Sequence, residues 1–239
     1  MKALITGANG DIGNGILDYL IENHYDIVSM DKDISRQQKK VLFTQNLSIK
    51  TIDFNDTEKL RLSLDVNEKP FDVLIYVAGI REIIPAVDLT LEEWNKVQQV
   101  NLTSAFLLSQ YTAKLAIKHQ HPLSIIYISS ISGLQGEPER AAYCASKHGL
   151  IGLAKSLAME FAHHKIRVNV IAPGIIETDL TRDYKNDEKI SNQIIHNIPL
   201  ARWGQPYHIV QAVDFMIKND YVTGSTLTID GGWTAGKRI

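Results

Sequence analysis

The chain has 239 residues, 44% apolar and 22% charged, with a formal net charge of −2. That length suits one large α/β domain and leaves little room for two. The near-neutral balance gives no electrostatic footprint for nucleic acid or an acidic membrane, and no apolar run approaches the ~18 residues of a transmembrane helix.

Apolar strand-like runs alternate with helical patterns along the whole chain. The predicted strands are Ala3–Thr6, Ile27–Met30, Ile49–Ile52, Val73–Val77, Ser124–Ser129, Arg167–Ile171 and Leu227–Ile229, and the clearest helices run from Ile12 to Glu22, Leu91 to Lys118 and Ala142 to Phe161. Strands apolar on both faces and joined through helices predict a doubly wound α/β domain, a seven-stranded parallel sheet sandwiched between helices. Met1–Lys2 passes straight into the first strand, too short a lead for a signal peptide, and the single cysteine, Cys144, suits a reducing compartment. A cytoplasmic protein is expected.

The first strand runs into Thr6-Gly7-Ala8-Asn9-Gly10-Asp11-Ile12-Gly13 and then a helix. Glycines permit close backbone approach, and a helix N-terminus offers free N–H groups to a pyrophosphate. The second strand ends at Asp31, where a carboxylate accepts hydrogen bonds from the adenosine ribose and repels a 2′-phosphate. NAD is therefore expected over NADP, with Lys32 a partial offset.

The fifth strand delivers Ser130, and Tyr143 and Lys147 follow four apart on one helix face. An ammonium beside a phenol favours the phenolate, so Tyr143 is expected to titrate below its usual value of about 10 and to act as a general acid/base. Arg81 and Arg140 flank these segments; they would receive a carboxylate or phosphopantetheine group, or else be solvated loop residues. The eight histidines have no ligand spacing, so no metal is expected. Cys144 reads as a packed side chain. The polar stretch Asp179 to Asn197 reads equally as a flap over the site or as a surface helix.

With these motifs in order, the chain resembles the short-chain dehydrogenases/reductases of about 250 residues, from Ala3 to Trp233. By that resemblance Asp53-Phe54 flanks the adenine, Ala78-Gly79 ends the family's Asn-Asn-Ala-Gly motif, and Pro173-Gly174-Ile175-Ile176-Glu177-Thr178 contacts the nicotinamide. The cofactor residues implied are Gly7, Gly10, Ile12, Gly13, Asp31, Asp53, Phe54, Ala78, Gly79, Tyr143, Lys147, Pro173, Gly174, Ile176 and Thr178. The catalytic set implied is Asn101, Ser130, Tyr143 and Lys147, with Asn101 helping to hold a water in the proton path. Lys147 would also bind the nicotinamide ribose.

Two positions depart from the family pattern. Asp11 replaces a glycine, and should point away from the phosphates or weaken binding; Tyr76-Val77 replaces two Asn that brace the sheet in relatives. The resemblance implies an NAD(H)-dependent oxidoreductase of a secondary alcohol or ketone, assembled as a homotetramer through the Leu91–Lys118 and Ala142–Phe161 helices. Rival readings are an NADPH-dependent 3-oxoacyl-[acyl-carrier-protein] reductase, a dehydrogenase similar to 2,3-dihydro-2,3-dihydroxybenzoate dehydrogenase, and a non-catalytic NAD(H) sensor or scaffold.

Overall fold

A computed structural model describes residues 1–41 and 44–236. Seven parallel strands form one sheet in the order β3-β2-β1-β4-β5-β6-β7. They are β1 (Lys2–Thr6), β2 (Asp26–Asp31), β3 (Leu47–Thr51), β4 (Val73–Tyr76), β5 (Leu123–Ile128), β6 (Ile166–Pro173) and β7 (Thr226–Ile229). The seven predicted strands are the seven observed, with ends differing by one or two residues. β1, β4 and β5 are buried on both faces because helices cover both. On one side Leu4, Leu74, Tyr76, Ile125 and Tyr127 meet α5 (Ser104–Lys118) and α6 (Ala141–Phe161). On the other, Ala3, Ile5, Ile75 and Ile126 meet α1 (Asp11–Glu22) and α9 (Pro206–Lys218).

The strand order turns back between β1 and β4, so the crevice beyond their C-terminal ends is where an open parallel sheet takes its ligands. Gly7 leaves β1 at φ 67°, and a Cβ there would lie 2.6 Å from the Ala78 nitrogen, so the turn packs on the β4 loop only as glycine. The Thr6 hydroxyl oxygen clamps that loop by accepting from the Val77 and Ala78 N–H groups at 3.1 and 3.2 Å. Between β2 and β4 lie α2 (Ser35–Val41) and α3 (Thr57–Leu62).

The Leu91–Lys118 helix differs from its expectation. α4 (Leu91–Gln98) gives way to a π-helical turn, Gln99–Thr103, before α5 resumes. Tyr76 explains how the turn is held: its ring is fully buried edge-on to Phe54, and its hydroxyl donates to the Val100 carbonyl. A bulge of this kind is frequent at functional sites, and this one carries Asn101. The Asp179–Asn197 stretch is a single 3₁₀ turn (Asp179–Thr181) followed by α7 (Arg182–Asn186) and α8 (Glu188–Asn197), the last capped by Asp187. Among the described residues no helix is long and apolar enough to cross a membrane.

Candidate active site

Two adjoining cavities open at the C-terminal edge of the sheet. The larger, about 520 Å³, is a groove lined by Gly7, Gly10, Ile12, Gly13, Asp31, Asp53, Phe54, Ala78, Gly79 and Thr178. The smaller, about 160 Å³, is lined by Ser130, Tyr143 and Lys147 together with Ile12, Gly79, Pro173, Gly174, Ile176 and Thr178. Every residue expected at the cofactor or in catalysis lies on one of these walls except Asn101.

The groove fits a dinucleotide by its backbone. Gly10 precedes α1 and gives no side-chain cap, so the first-turn N–H groups stay free for a pyrophosphate. A Cβ on Gly13 would lie 2.1 Å from the Gly7 carbonyl oxygen; glycine is what lets α1 start so close to the turn. Asp11 lies on the groove wall with its carboxylate engaged by protein donors. Its carboxylate accepts from the Arg36 guanidinium at 2.6 Å and the Asp179 N–H at 2.5 Å. Burial alone would push its pKa up, but those two donors hold it below the usual carboxylate value. Arg36 also binds Asp179 at 2.7 Å, so the three residues tie the glycine turn, α2 and the segment after Thr178 together.

At the ribose end, Asp31 accepts from the Asn9 N–H at 2.9 Å and the Asp33 N–H at 3.3 Å. Burial raises its pKa, and backbone donors from Asn9, Asp33 and Lys32 oppose the rise. Phe54 is only partly as expected. It lines the groove, but its ring is turned into the core against Tyr76 and its carbonyl accepts from Ser104.

In the smaller cavity Ser130 follows β5, accepts from the Ser132 N–H at 3.1 Å and donates to the Ser132 hydroxyl at 3.1 Å. Ser132 in turn donates to Glu137, which pairs with Arg140. The α6 backbone is brought in close by Gly133, where a Cβ would come within 2.7 Å of the Lys147 carbonyl oxygen. At its other end Glu82 caps α6 by accepting from the Tyr143 N–H at 3.0 Å. Thr178 pairs with Thr181, which accepts from its N–H at 3.0 Å, and so sits at the junction of both cavities.

The expected electrostatics of Tyr143 need correction. Burial raises the phenol above its usual value; the Ser130 hydroxyl, Arg81 and Arg140 pull it down, and Glu137 pushes it up. Lys147 is not among the groups that shift it most. That ammonium is itself buried, its pKa pushed down to about 8, and it donates to the Ile128 carbonyl at 2.9 Å, with Nζ 5.6 Å from the Tyr143 ring centre. An i, i+4 spacing puts two side chains on one face without aiming one at the other.

Asn101 lies outside both cavities. Its amide is buried behind the Ala78-Gly79 turn, accepting from the Ile80 N–H at 2.8 Å and donating to the Ile80 carbonyl and the Ser146 hydroxyl, each at 2.9 Å. Its side chain fixes the loop that Gly79 presents to Lys147. Glu82, Glu137, Ser132, Asn9 and Arg36 were not legible as site residues. Glu137 had one available signal, its place in the loop between Ser130 and Tyr143. Among the described residues no group of three or more His, Cys, Asp or Glu is placed to hold a metal.

Residues 8–234 match the family model described as enoyl-(acyl carrier protein) reductase. The 3-oxoacyl-[acyl-carrier-protein] reductase FabG of Rickettsia conorii is 37% identical over 234 residues, which cover 96% of this chain and 95% of the relative. A solved 4-hydroxyisoleucine dehydrogenase mutant, complexed with NADH and succinate, superposes with a TM-score of 0.96 at 39% identity, covering 100% of both chains. A putative 2-deoxy-D-gluconate 3-dehydrogenase from Agrobacterium tumefaciens with bound NADP has a TM-score of 0.91 at 34% identity, covering 98% of this chain and 96% of that one.

Proposed function

The chain belongs to the short-chain dehydrogenase/reductase family and is an oxidoreductase that moves hydride between a nicotinamide and a CH–OH or keto group; from that premise we propose that it uses NAD(H) on a secondary alcohol or ketone, with Tyr143 as general acid/base. The observation that supports this most is the meeting of Ser130 and Tyr143 on the wall of a small cavity that opens beside the dinucleotide groove. The bound nicotinamide supplies or accepts the hydride. Ser130, held by the Ser132 N–H, turns its hydroxyl proton from Ser132 to the substrate oxygen, and Tyr143 gives that oxygen a proton or takes one from it. Lys147 would hold the nicotinamide ribose with the donors left beyond the one given to Ile128. Asn101 is a positioning residue, acting through Ile80 and Gly79.

The raised phenol has a direction built into it. Protonated at neutral pH, Tyr143 is ready to act as an acid in ketone reduction. Alcohol oxidation needs the phenolate and gains as pH rises.

Preference for NAD over NADP rests on Asp31 at the end of β2, and on Arg36 being committed to Asp11 and Asp179 rather than free for a 2′-phosphate. A 3-oxoacyl-[acyl-carrier-protein] reductase working with NADPH is the second reading, favoured by identity to FabG. We also infer a cytoplasmic homotetramer with the α4–α5 and α6 faces as one interface, which light scattering on the purified protein checks. The test of function is paired. Fluorescence titration should give tighter binding of NADH than NADPH, and Tyr143→Phe should abolish turnover while sparing NADH binding. Preference for NADPH would move 3-oxoacyl reduction first. NADH binding with no turnover of any alcohol or ketone by the wild type would favour the sensor.

A further inference from the structure

We propose that the substrate carries a carboxylate, and that the Arg81 guanidinium receives it while Ser130 and Tyr143 hold the hydroxyl or keto oxygen. The inference rests on the dehydrogenase reading above and adds the class of substrate. The charged side chains lining the smaller cavity are Arg81, Glu137, Arg140 and Lys147, three cations against one carboxylate. An anion is therefore favoured there and a neutral ligand gains nothing from the field.

Two of the cations have other partners. Lys147 donates to the Ile128 carbonyl and would give its remaining donors to the nicotinamide ribose, and Arg140 is paired with Glu137 and reaches the Tyr184 hydroxyl at 3.3 Å. Arg81 has no ion-pair partner among the described residues. It makes one hydrogen bond, to the Leu180 carbonyl at 2.6 Å, and lies over the Tyr184 ring at 5.3 Å from its centre. A guanidinium has five N–H donors in a rigid fork that matches a carboxylate, so most of this one's capacity is unspent. The Leu180 bond and the contact with the Tyr184 ring hold the guanidinium in place in advance, which reduces the entropy lost when the ligand is held.

Arg81 lines the same small cavity as Ser130 and Tyr143, so the carboxylate and the reacting carbon would lie within the span of that one cavity. The cavity, about 160 Å³, includes the wall assigned to the nicotinamide, which limits what remains to a short chain. The class is a short hydroxy acid and its oxo-acid partner. Leu180 and Tyr184 lie just beyond Thr178, so the bound carboxylate would sit beneath the segment tied down by Asp11, Arg36 and Asp179.

Protein saturated with NADH should be titrated with 3-hydroxybutanoate, 4-hydroxypentanoate and glutarate, and with their methyl esters, following NADH fluorescence and heat. At least one acid should bind about tenfold or more tightly than its ester. Arg81→Met should weaken that acid by about 10- to 100-fold while leaving ester binding and NADH affinity in place, and Arg81→Lys should recover part of the loss. Equal binding of acids and esters, binding of none of the acids, or an equal loss for both ligand types in Arg81→Met would overturn the inference. Failure of NADH itself to bind would instead remove the dehydrogenase reading, and this one with it.

Discussion

Replacing Asp31 by Ala should move the cofactor preference from NADH toward NADPH by an amount the ribose corner of the groove fixes. In the wild type the carboxylate is anchored by the Asn9 and Asp33 N–H groups at 2.9 and 3.3 Å, with the Asp33 carboxylate close by. A 2′-phosphate charge about 4 Å away would be repelled by roughly 1 kcal/mol in full solvent and about 4 kcal/mol at an effective dielectric near 20. Losing that repulsion is worth about fivefold at the low end and several hundredfold at the high end. The exposure of the groove and the remaining charge on Asp33 argue for the lower half of that range. Asp31→Ala also removes a charged acceptor from the ribose hydroxyls, so NADH should weaken by about 10-fold or more. The assay is kcat/KM, or Kd by fluorescence, for both cofactors on both proteins across pH. Because burial raises the Asp31 pKa, wild-type discrimination against NADPH should fade on acidification sooner than for an exposed Asp. An NADH/NADPH ratio unchanged within about threefold, where the repulsion alone predicts fivefold or more, would refute the reasoning.

Glu137→Gln removes the negative charge that pushes Tyr143 up, so the alkaline-rising limb of alcohol oxidation should shift to lower pH; a shift upward would contradict it. Arg36→Met leaves Asp11 beside the pyrophosphate without its cation, and NADH should bind about 3- to 10-fold more weakly, with the loss shrinking in high salt. Tyr76→Phe strips the buried Val100 carbonyl of its donor and should cost about 1–3 kcal/mol, a fall of roughly 2–10 °C in Tm by calorimetry. An unchanged Tm would mean that another group satisfies the carbonyl.

The sheet was legible because parallel strands buried on both faces read as continuous apolar runs, and the glycine turn was legible because close backbone approach admits no side chain. Ser130, Tyr143 and Lys147 were legible from type and spacing. Their electrostatics were not. The Tyr143 phenol responds to Arg81, Glu137 and Arg140, which lie on separate loops and meet it only in the folded chain, while Lys147 spends its ammonium on the Ile128 carbonyl. Asp11 shows the same limit: its sequence position gave no sign of the partners that engage it, Arg36 and Asp179, 25 and 168 residues away. Local spacing determines which side chains share a strand or helix face, and so the fold and the candidate residues of the site. The charge state and aim of each group depend on desolvation and on distant partners, and only tertiary packing supplies those.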